Sequence, residues 1–450
     1  MLKNGRFPVL LVLAAFGSEM FLGDIDIGPA SPRVYLYAGL IGWFALRVIL
    51  MREPLVRDRR AIPLLAVYSL FILWAFVALT LQDLPVARVI VEIVKSHGLA
   101  LVLFLVLLFV LRTREQTTLF ARGIVLLTAL SSAVAIAQIF YISAPWTIWS
   151  RLRPLAQMIG DQPGFVDTGD GPVRMPPPGL FAAAFTFGYY LAALVPVAVS
   201  MYLVRRNLRN ALIALTAVLG VIAVQQRSAL LATAICLPVL LLMHGAESHR
   251  LRRVIMGMLL LLIAGGLFIS RNAPTDDDPS SLGRYSHFMD RGRLQVADTA
   301  LAFIVDHPFT GGAIEYVHFY QSRLRSDAVY DVIAPHNLFL NAAVFLGFPG
   351  LMLILLFLVT LGLVFVSVWR TARRRHDWLA IGSIFGLAGY LINAQFHNAS
   401  FVTGDVLPWW LIAIALSATR VPMPAPVVVA KKQAPARRLA PRALPARSHA

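Results

Sequence analysis

The stretch NALIALTAVLGVIAVQQRSALLATAICLPVLLLM occupies residues 210–243 and decides the fold. It contains two apolar runs, 210–226 and 228–243, which meet at the short polar turn around Arg227. Runs of this kind, near the lower limit of about 17 residues, are long enough to cross the hydrocarbon core of a membrane as helices. The stretch therefore predicts a helical hairpin that crosses the membrane twice.

The composition of the whole chain supports the same interpretation. Of 450 residues, 58% are hydrophobic and 14% are charged, and the mean hydropathy is +0.72. Soluble globular proteins are typically about half apolar and about a quarter charged. The apolar runs are longer than the roughly ten-residue strands of a membrane barrel, so helices must satisfy the backbone groups. The expected fold is an all-α, polytopic membrane protein.

Apolar runs of this length recur along residues 1–420, the predicted membrane domain. The first begins after Lys3 and Arg6 and has no small-residue cleavage site behind it, so it is expected to be a retained helix. Twelve spans are predicted, at approximately 7–23, 33–51, 62–81, 94–111, 119–142, 178–204, 210–226, 228–243, 254–270, 338–369, 378–397 and 402–419.

Arginine is concentrated in alternate connections between these spans. Cytoplasmic connections carry the excess of Lys and Arg, so these connections and both termini are expected inside the cell, and the Arg227 turn outside. The net charge of +17 mainly reflects this pattern and the basic tail, and no nucleic acid partner is predicted. The inside arginines include Arg52, Arg57, Arg59, Arg60, Arg112, Arg114, Arg122, Arg205, Arg206, Arg209, Arg250, Arg252, Arg253, Arg370, Arg373, Arg374 and Arg375.

The tail at 421–450 is rich in Pro, Ala, Lys and Arg without hydrophobic periodicity. Such a composition predicts a disordered, basic cytoplasmic segment. Cys236 is the only cysteine and lies within a span, which excludes intramolecular disulfides and thiolate metal sites. No metal site is predicted.

Two outside segments are long enough to hold structure. Residues 143–177 contain Arg174 and end in a run of prolines. Residues 271–335 become amphipathic from about 286 to 305, which predicts a helix lying over the bundle as a lid. That helix should stop at 306–312, and a second should cover 314–325. Its expected apolar face consists of Phe288, Leu294, Ala297, Ala300, Leu301 and Ile304.

Four short motifs follow one another in this half of the chain. They are QRSALL at 226–231, RGR at 291–293, DHPFTGG at 306–312 and HN at 336–337. The arrangement resembles the family of bacterial O-antigen ligases and polymerases, over roughly residues 174–350.

The spacing after His336 carries the most specific part of that resemblance. The ligases of the family have His followed by Asn, Ser or Gln, nine free positions, Gly, two free positions and Gly. Here these positions are His336, Asn337, Gly347 and Gly350. A Thr often follows in the family, whereas this sequence has Leu351, which weakens the ligase assignment relative to the polymerases.

The resemblance implies an inverting glycosyl transfer at the periplasmic face of the bacterial inner membrane, without metal or other cofactor. The donor would be a glycan on undecaprenyl pyrophosphate. The acceptor would be a sugar hydroxyl of lipid A–core in a ligase, or of another lipid-linked repeat unit in an O-antigen or exopolysaccharide polymerase.

The residue types suit that chemistry independently of the resemblance. Arginine presents a permanently charged fork of donors to phosphate oxygens, and histidine is a base whose ordinary pKa lies near neutrality. We expect His336 to be the catalytic base or to orient the acceptor hydroxyl. The expected pyrophosphate- or glycan-binding residues are Arg227, Arg291, Arg293, Arg174 and Asn337.

Structural roles compete with these assignments. Arg227 at a helix end can extend to the interface, and His336 can simply anchor its span. Other polar groups near outer span ends are expected to serve packing, namely Glu19, Asn393, Gln395, His397 and Asp405. A transporter or flippase is the rival class, but it should place ionisable groups near the membrane midplane rather than in a 65-residue outside loop such as 271–335.

Overall fold

The computed structural model describes residues 6–22, 32–52, 58–82, 84–142, 165–167, 172–174, 179–181, 184–224, 226–244, 291–312, 316, 335–397 and 400–420. Helices dominate these residues, as predicted. The departure is a small antiparallel hairpin of β1 (Phe165–Asp167) and β2 (Pro172–Arg174), which pairs Phe165 with Arg174.

Thirteen α-helices occur in the described part of the chain. A π-helical turn (Val94–Gly98) lies between the helices Val86–Ile93 and Leu99–Val110, and a short 3-10 helix (Phe401–Thr403) precedes the last α-helix. The helices are α1 (Phe7–Leu22), α2 (Pro32–Met51), α3 (Ala61–Leu81), α4 (Val86–Ile93), α5 (Leu99–Val110), α6 (Arg114–Ile142), α7 (Ala184–Val204), α8 (Leu208–Ala223), α9 (Arg227–His244), α10 (Arg291–Asp306), α11 (Leu338–Arg374), α12 (Trp378–Asn393) and α13 (Leu407–Arg420).

Five of these helices are long and apolar enough to cross a membrane, namely α3, α6, α7, α9 and α11. Shorter apolar helices lie within α1, α2, α5, α8 and α12, each in a predicted span. The predicted span at 254–270 lies outside the described residues, as do the tail and most of both outside loops. The chain is thus a helical, polytopic membrane protein, while the count of twelve spans stays a prediction.

The bundle has two chemically different ends. Arg206, in the α7–α8 turn, hydrogen-bonds through Nη2 to Nε2 of His244 at the end of α9 (2.9 Å). Arg114 at the start of α6 pairs with the buried Asp377 before α12. We call this the arginine-rich end. Arg227 begins α9, so it lies at the opposite end.

Close backbone approach holds α12 against α7. A side chain at Gly386 would overlap the carbonyl oxygen of Ala193, and one at Gly389 would overlap that of Ala192. Small residues at helix interfaces allow the short separations on which packing in membranes relies. α12 also packs on α9 and α13, and therefore lies near the centre of the bundle.

The amphipathic helix of the second outside loop is present, and its predicted apolar face is buried at Ala300 and Ile304. As predicted, it stops at Asp306, but the predicted face was wrong at Leu301, which is 53% exposed. Phe303 is buried instead, and it stacks on His307 and contacts Tyr316. The face that packs against α11 thus includes the predicted Ala300 and Ile304, together with Phe303, which the periodicity did not include.

Candidate functional site

Arg227 is the first residue of α9 and is half-buried. The tight α8–α9 turn fits there because Gly188 of α7 leaves room for the side chain of Gln226. Ser228 follows, and its Oγ lies 2.8 Å from Nε2 of the buried His397. The start of α9 is therefore fixed to the segment that follows α12.

His336 and Asn337 begin α11 in the expected order. Asn337 caps the helix, because its Oδ1 accepts hydrogen bonds from the backbone N–H groups of Phe339 (2.9 Å) and Leu340 (3.1 Å). His336, immediately before the cap, is half-buried and has a positive φ of 49°. The backbone reversal at His336 directs the chain into α11.

Residues 394–397 join the two helix starts. The backbone N–H of Leu338 donates to the carbonyl of Ala394 (3.1 Å), and Nδ2 of Asn337 donates to Oε1 of Gln395 (3.2 Å). His397, two residues further on, holds Ser228. The structure thus brings Arg227, His336 and Asn337 to one end of the bundle, which we call the site end.

Sequence reasoning assigned Gln395 and His397 to packing, and it missed their connecting role. Gln395 does anchor the cap residue, yet His397 reaches a serine 169 positions away beside Arg227. A short polar run at the end of the predicted span 378–397 was the available signal. It did not identify a partner, because nothing in one sequence pairs His397 with Ser228.

The positive ends of two helix dipoles meet at the site end. α9 and α11 both begin here, although the first N–H groups of α11 already donate to Asn337 and Ala394. A helix N-terminus favours anions, and the guanidinium of Arg227 adds a full positive charge. Electrostatically, the arrangement suits a phosphate.

The motif glycine Gly347 interrupts α11, which the sequence predicted as one continuous span. Its φ of 67° and ψ of −172° are not helical. An added Cβ would overlap the carbonyl oxygen of Phe309, so the loop 306–312 packs directly on the break. In return, the N–H of Phe348 donates to the carbonyl of Pro308 (2.7 Å).

Three carbonyls next to this break accept hydrogen bonds from donors outside the helix. That of Val344 accepts from the backbone N–H of Gly312 (2.9 Å). That of Phe345, whose usual donor position is occupied by Pro349, accepts from Nε2 of Gln82 (3.0 Å). That of Leu346 accepts from Nε1 of Trp74 (2.8 Å). The first part of α11, at the site end, is therefore held by Trp74 of α3, by Gln82 directly after α3 and by the loop after α10.

The remaining predicted site residues are placed by backbone only. Arg174 ends β2, and Arg291 and Arg293 lie in the first turn of α10. For these three arginines the structure describes the backbone but not the side chain. The other end of α10 reaches the site end, because Ala300 and Ile304 pack with Ala343 and Val344 of α11.

Two buried amides lie close to the helix starts in sequence. Asn341 is one turn after Asn337, and Asn393 directly precedes Ala394. In the described part of the chain, three of their amide atoms have no hydrogen-bond partner: Oδ1 and Nδ2 of Asn341, and Oδ1 of Asn393. Across the same residues, no group of three or more His, Cys, Asp or Glu side chains is placed to hold a metal ion.

Comparison with known proteins identifies the region that contains this site. Residues 211–355 match the family model described as O-antigen ligase. A comparison with curated proteins gave no match. The matched region includes Arg227, Arg291, Arg293, His336 and Asn337, whereas Arg174 and His397 lie outside it. The chain therefore contains a domain of the O-antigen ligase family.

Proposed function

We propose that the protein transfers a glycan from undecaprenyl pyrophosphate to an acceptor sugar hydroxyl at the periplasmic face of the bacterial inner membrane. The observation that carries the proposal is the bridge at 394–397, which brings the start of α9 with Arg227 and the start of α11 with His336 to the same end of the bundle. A cation and a base are thereby available to one substrate.

The donor pyrophosphate is assigned to the start of α9. Its charge grows as the glycosidic bond breaks, and the Arg227 guanidinium can hold two phosphate oxygens at once. The N-terminal N–H groups of α9 support the same charge. The Ser228–His397 hydrogen bond keeps this helix start in place, so His397 is a positioning residue in this proposal.

The acceptor hydroxyl is assigned to His336. As its oxygen attacks the anomeric carbon, the bond from that carbon to the pyrophosphate breaks, and the bonding electrons leave with the pyrophosphate. The neutral imidazole takes the hydroxyl proton. Attack from the face opposite the leaving group inverts the configuration at the anomeric carbon, and no metal is assigned to any step.

The other predicted residues are assigned secondary roles. Both polar atoms of the Asn337 amide are engaged in the structure, so we propose that Asn337 contributes by capping α11 rather than by direct contact with the glycan. Arg174, Arg291 and Arg293 are proposed to hold further phosphate or glycan groups. An O-antigen or exopolysaccharide polymerase would share this donor site and differ in its acceptor.

Reconstitution tests the proposal. The protein in proteoliposomes would receive a glycan on undecaprenyl pyrophosphate together with lipid A–core or a second lipid-linked repeat unit, with and without EDTA. Extension of lipid A–core identifies a ligase, and extension of the repeat unit identifies a polymerase. Transfer should persist in EDTA. Movement of the intact donor across the bilayer without transfer would favour the flippase class and contradict the proposal.

A further inference from the structure

A cleft at the arginine-rich end is unrelated to the transfer site. It has a volume of about 380 Å³ and is bordered by α1, α6, α7, the α7–α8 turn and α8. Three arginines line it, namely Arg122, Arg205 and Arg209. No acidic residue is among the lining residues, so the cleft is strongly cationic.

The three arginines converge from separate elements. Arg122 is half-buried about two turns into α6, and it lies within electrostatic range of Arg205 and Arg209 from the α7–α8 region. In the described part of the chain, no carboxylate pairs with any of them. Glu115, on the same helix as Arg122, pairs with Arg6. Among the described residues, no carboxylate therefore compensates the mutual repulsion of Arg122, Arg205 and Arg209.

The position of Arg122 does not follow from membrane insertion alone. Arginines that set orientation need only lie in the connections near span ends, where water solvates them. Arg122 instead lies about two turns after the start of α6, half-buried between Ala121 and Gly123, which pack on neighbouring helices. A half-buried arginine that faces two other arginines is well placed to bind an anion.

The α7–α8 turn fixes the other two arginines. Asn207 caps α8 by accepting from the backbone N–H of Asn210 (2.9 Å). Nδ2 of Asn210 donates in turn to the carbonyls of Arg205 (3.1 Å) and Met201 (3.3 Å). The two arginines are thus carried by a hydrogen-bonded turn rather than by an open loop.

The rest of the cleft is apolar. Leu13, Leu126 and Ile213 form part of its wall. Leu126 is exposed, and Leu212 and Leu215 on the adjoining helix α8 are also exposed, so this side of the bundle presents a hydrocarbon-compatible surface. A ligand of matching shape has an anionic head and an apolar chain.

We propose that this cleft binds an anionic phospholipid, with the headgroup phosphate held by the three arginines and an acyl chain against the leucines. Basic pockets between membrane helices recognise such headgroups through charge-assisted hydrogen bonds. The positive-inside pattern places the cleft in the cytoplasmic leaflet. The site does not depend on the proposed transfer reaction.

Lipid binding is tested on the full chain purified in a neutral detergent. Phosphatidylglycerol, phosphatidylcholine and inorganic phosphate would be titrated separately, with the melting temperature and native mass spectrometry as readouts. Phosphatidylglycerol should stabilise the protein saturably, because a ligand that binds only the folded state raises its stability. Arg122→Gln and Arg209→Gln should each weaken binding about tenfold, and Arg122→Lys less.

Arg206→Gln is the matched control, because Arg206 adjoins Arg205 but hydrogen-bonds to His244 of α9. It should bind lipid like the parent protein. Equal losses of lipid affinity in Arg206→Gln and Arg209→Gln would show that the lipid responds to general surface charge and not to this cleft. Unchanged lipid affinity in both Arg122→Gln and Arg209→Gln would contradict the proposed site. Phosphate acting at the same concentrations as lipid would overturn the lipid assignment. Elution of each variant at the parent volume in size-exclusion chromatography verifies folding.

Discussion

At the scale of single residues, His336 combines a chemical and a conformational demand. Its φ of 49° lies in the left-handed region, which most side chains avoid but His, Asn and Gly adopt more readily. The following residue caps α11, so a substitution that disturbs this backbone would also damage the helix start. Variants must therefore separate the imidazole from the turn.

We expect His336→Asn to abolish transfer while it leaves the melting temperature nearly unchanged. Asn tolerates the left-handed backbone but has no group that accepts a proton near neutral pH. Transfer assays and thermal melts on the same preparation check this. The parent should lose activity as the pH falls through the imidazole range near 6.5, since only the neutral ring accepts the proton. Activity equal to the parent in His336→Asn would eliminate His336 as the base.

Replacement of Arg227 by Ala should lower the transfer rate on the order of 10² to 10³, as for other groups that stabilise a developing charge. Arg227→Lys should recover only part of the rate, because a point charge replaces the planar fork. Rates in proteoliposomes at matched protein content give the comparison, with Arg206→Ala as the control. A fully active Arg227→Ala protein would rule out a pyrophosphate contact.

Removal of the hydroxyl in Ser228→Ala should raise the KM for the donor more than it lowers kcat. The hydroxyl holds His397 and so fixes the start of α9, and loss of one such hydrogen bond costs about 1 kcal/mol, or several-fold in affinity. Steady-state kinetics with donor varied measures the split. A fall in kcat alone, with KM unchanged, would contradict a positioning role.

The sequence correctly predicted that Arg227 and His336 lie at helix starts, whereas their roles in binding and catalysis stay predictions. Arg227 and His336 each open a span beside the outside segments, and the structure gathers them. His397 was missed because its significance depends on a contact with a distant helix. The cap formed by Asn337 was foreseeable from residue type alone, since Asn is favoured at helix starts.

At the scale of elements, the sequence pattern did not predict the break in α11. Residues 338–369 read as one apolar run, and Gly and Pro are frequent enough in membrane helices that Gly347 and Pro349 did not interrupt the prediction. The break becomes visible only with its partners, Gln82, Trp74 and the loop 306–312. These segments are remote in the sequence, so the local periodicity of α11 cannot predict their contacts with it.

Gly347→Ala should destabilise the protein by several degrees in melting temperature and should also reduce transfer. The added methyl group would overlap Phe309 O, and the positive φ adds strain. Gly362→Ala, later in the same helix, is the control, because no atom lies within 4 Å of its new Cβ. It should be neutral or stabilising by up to about 1 kcal/mol. Equal melting temperatures for the two variants would show that the packing of the loop 306–312 on Gly347 does not contribute to stability.

At the scale of the whole molecule, the charge pattern correctly grouped the connections that share an end. Arg60 hydrogen-bonds to Thr419 (3.0 Å), Arg420 to the carbonyl of Leu111 (2.6 Å) and Arg206 to His244. Each pair joins connections or termini that the arginine distribution assigned to one side. That this side faces the cytoplasm stays a prediction, because contacts within the bundle are the same in either orientation.

A cysteine at position 281 should establish the orientation. Ser281→Cys in intact spheroplasts is expected to react with a membrane-impermeant maleimide, because residues 271–335 are predicted to be periplasmic. The native Cys236 is buried and should give little background, which the parent protein measures. Labelling that requires permeabilised membranes would place the loop in the cytoplasm and reverse the proposed topology.

The bonds that close the break in α11 also define how much of the chain is needed for a working unit. Trp74 lies in α3, Gln82 directly follows α3 and His397 follows α12, so all three lie outside residues 211–355. A fragment restricted to those residues would leave the carbonyls of Phe345 and Leu346 unsatisfied within the membrane, at several kcal/mol each. The region that matches the family model is therefore shorter than the stretch of chain that we expect to be needed for independent folding and activity.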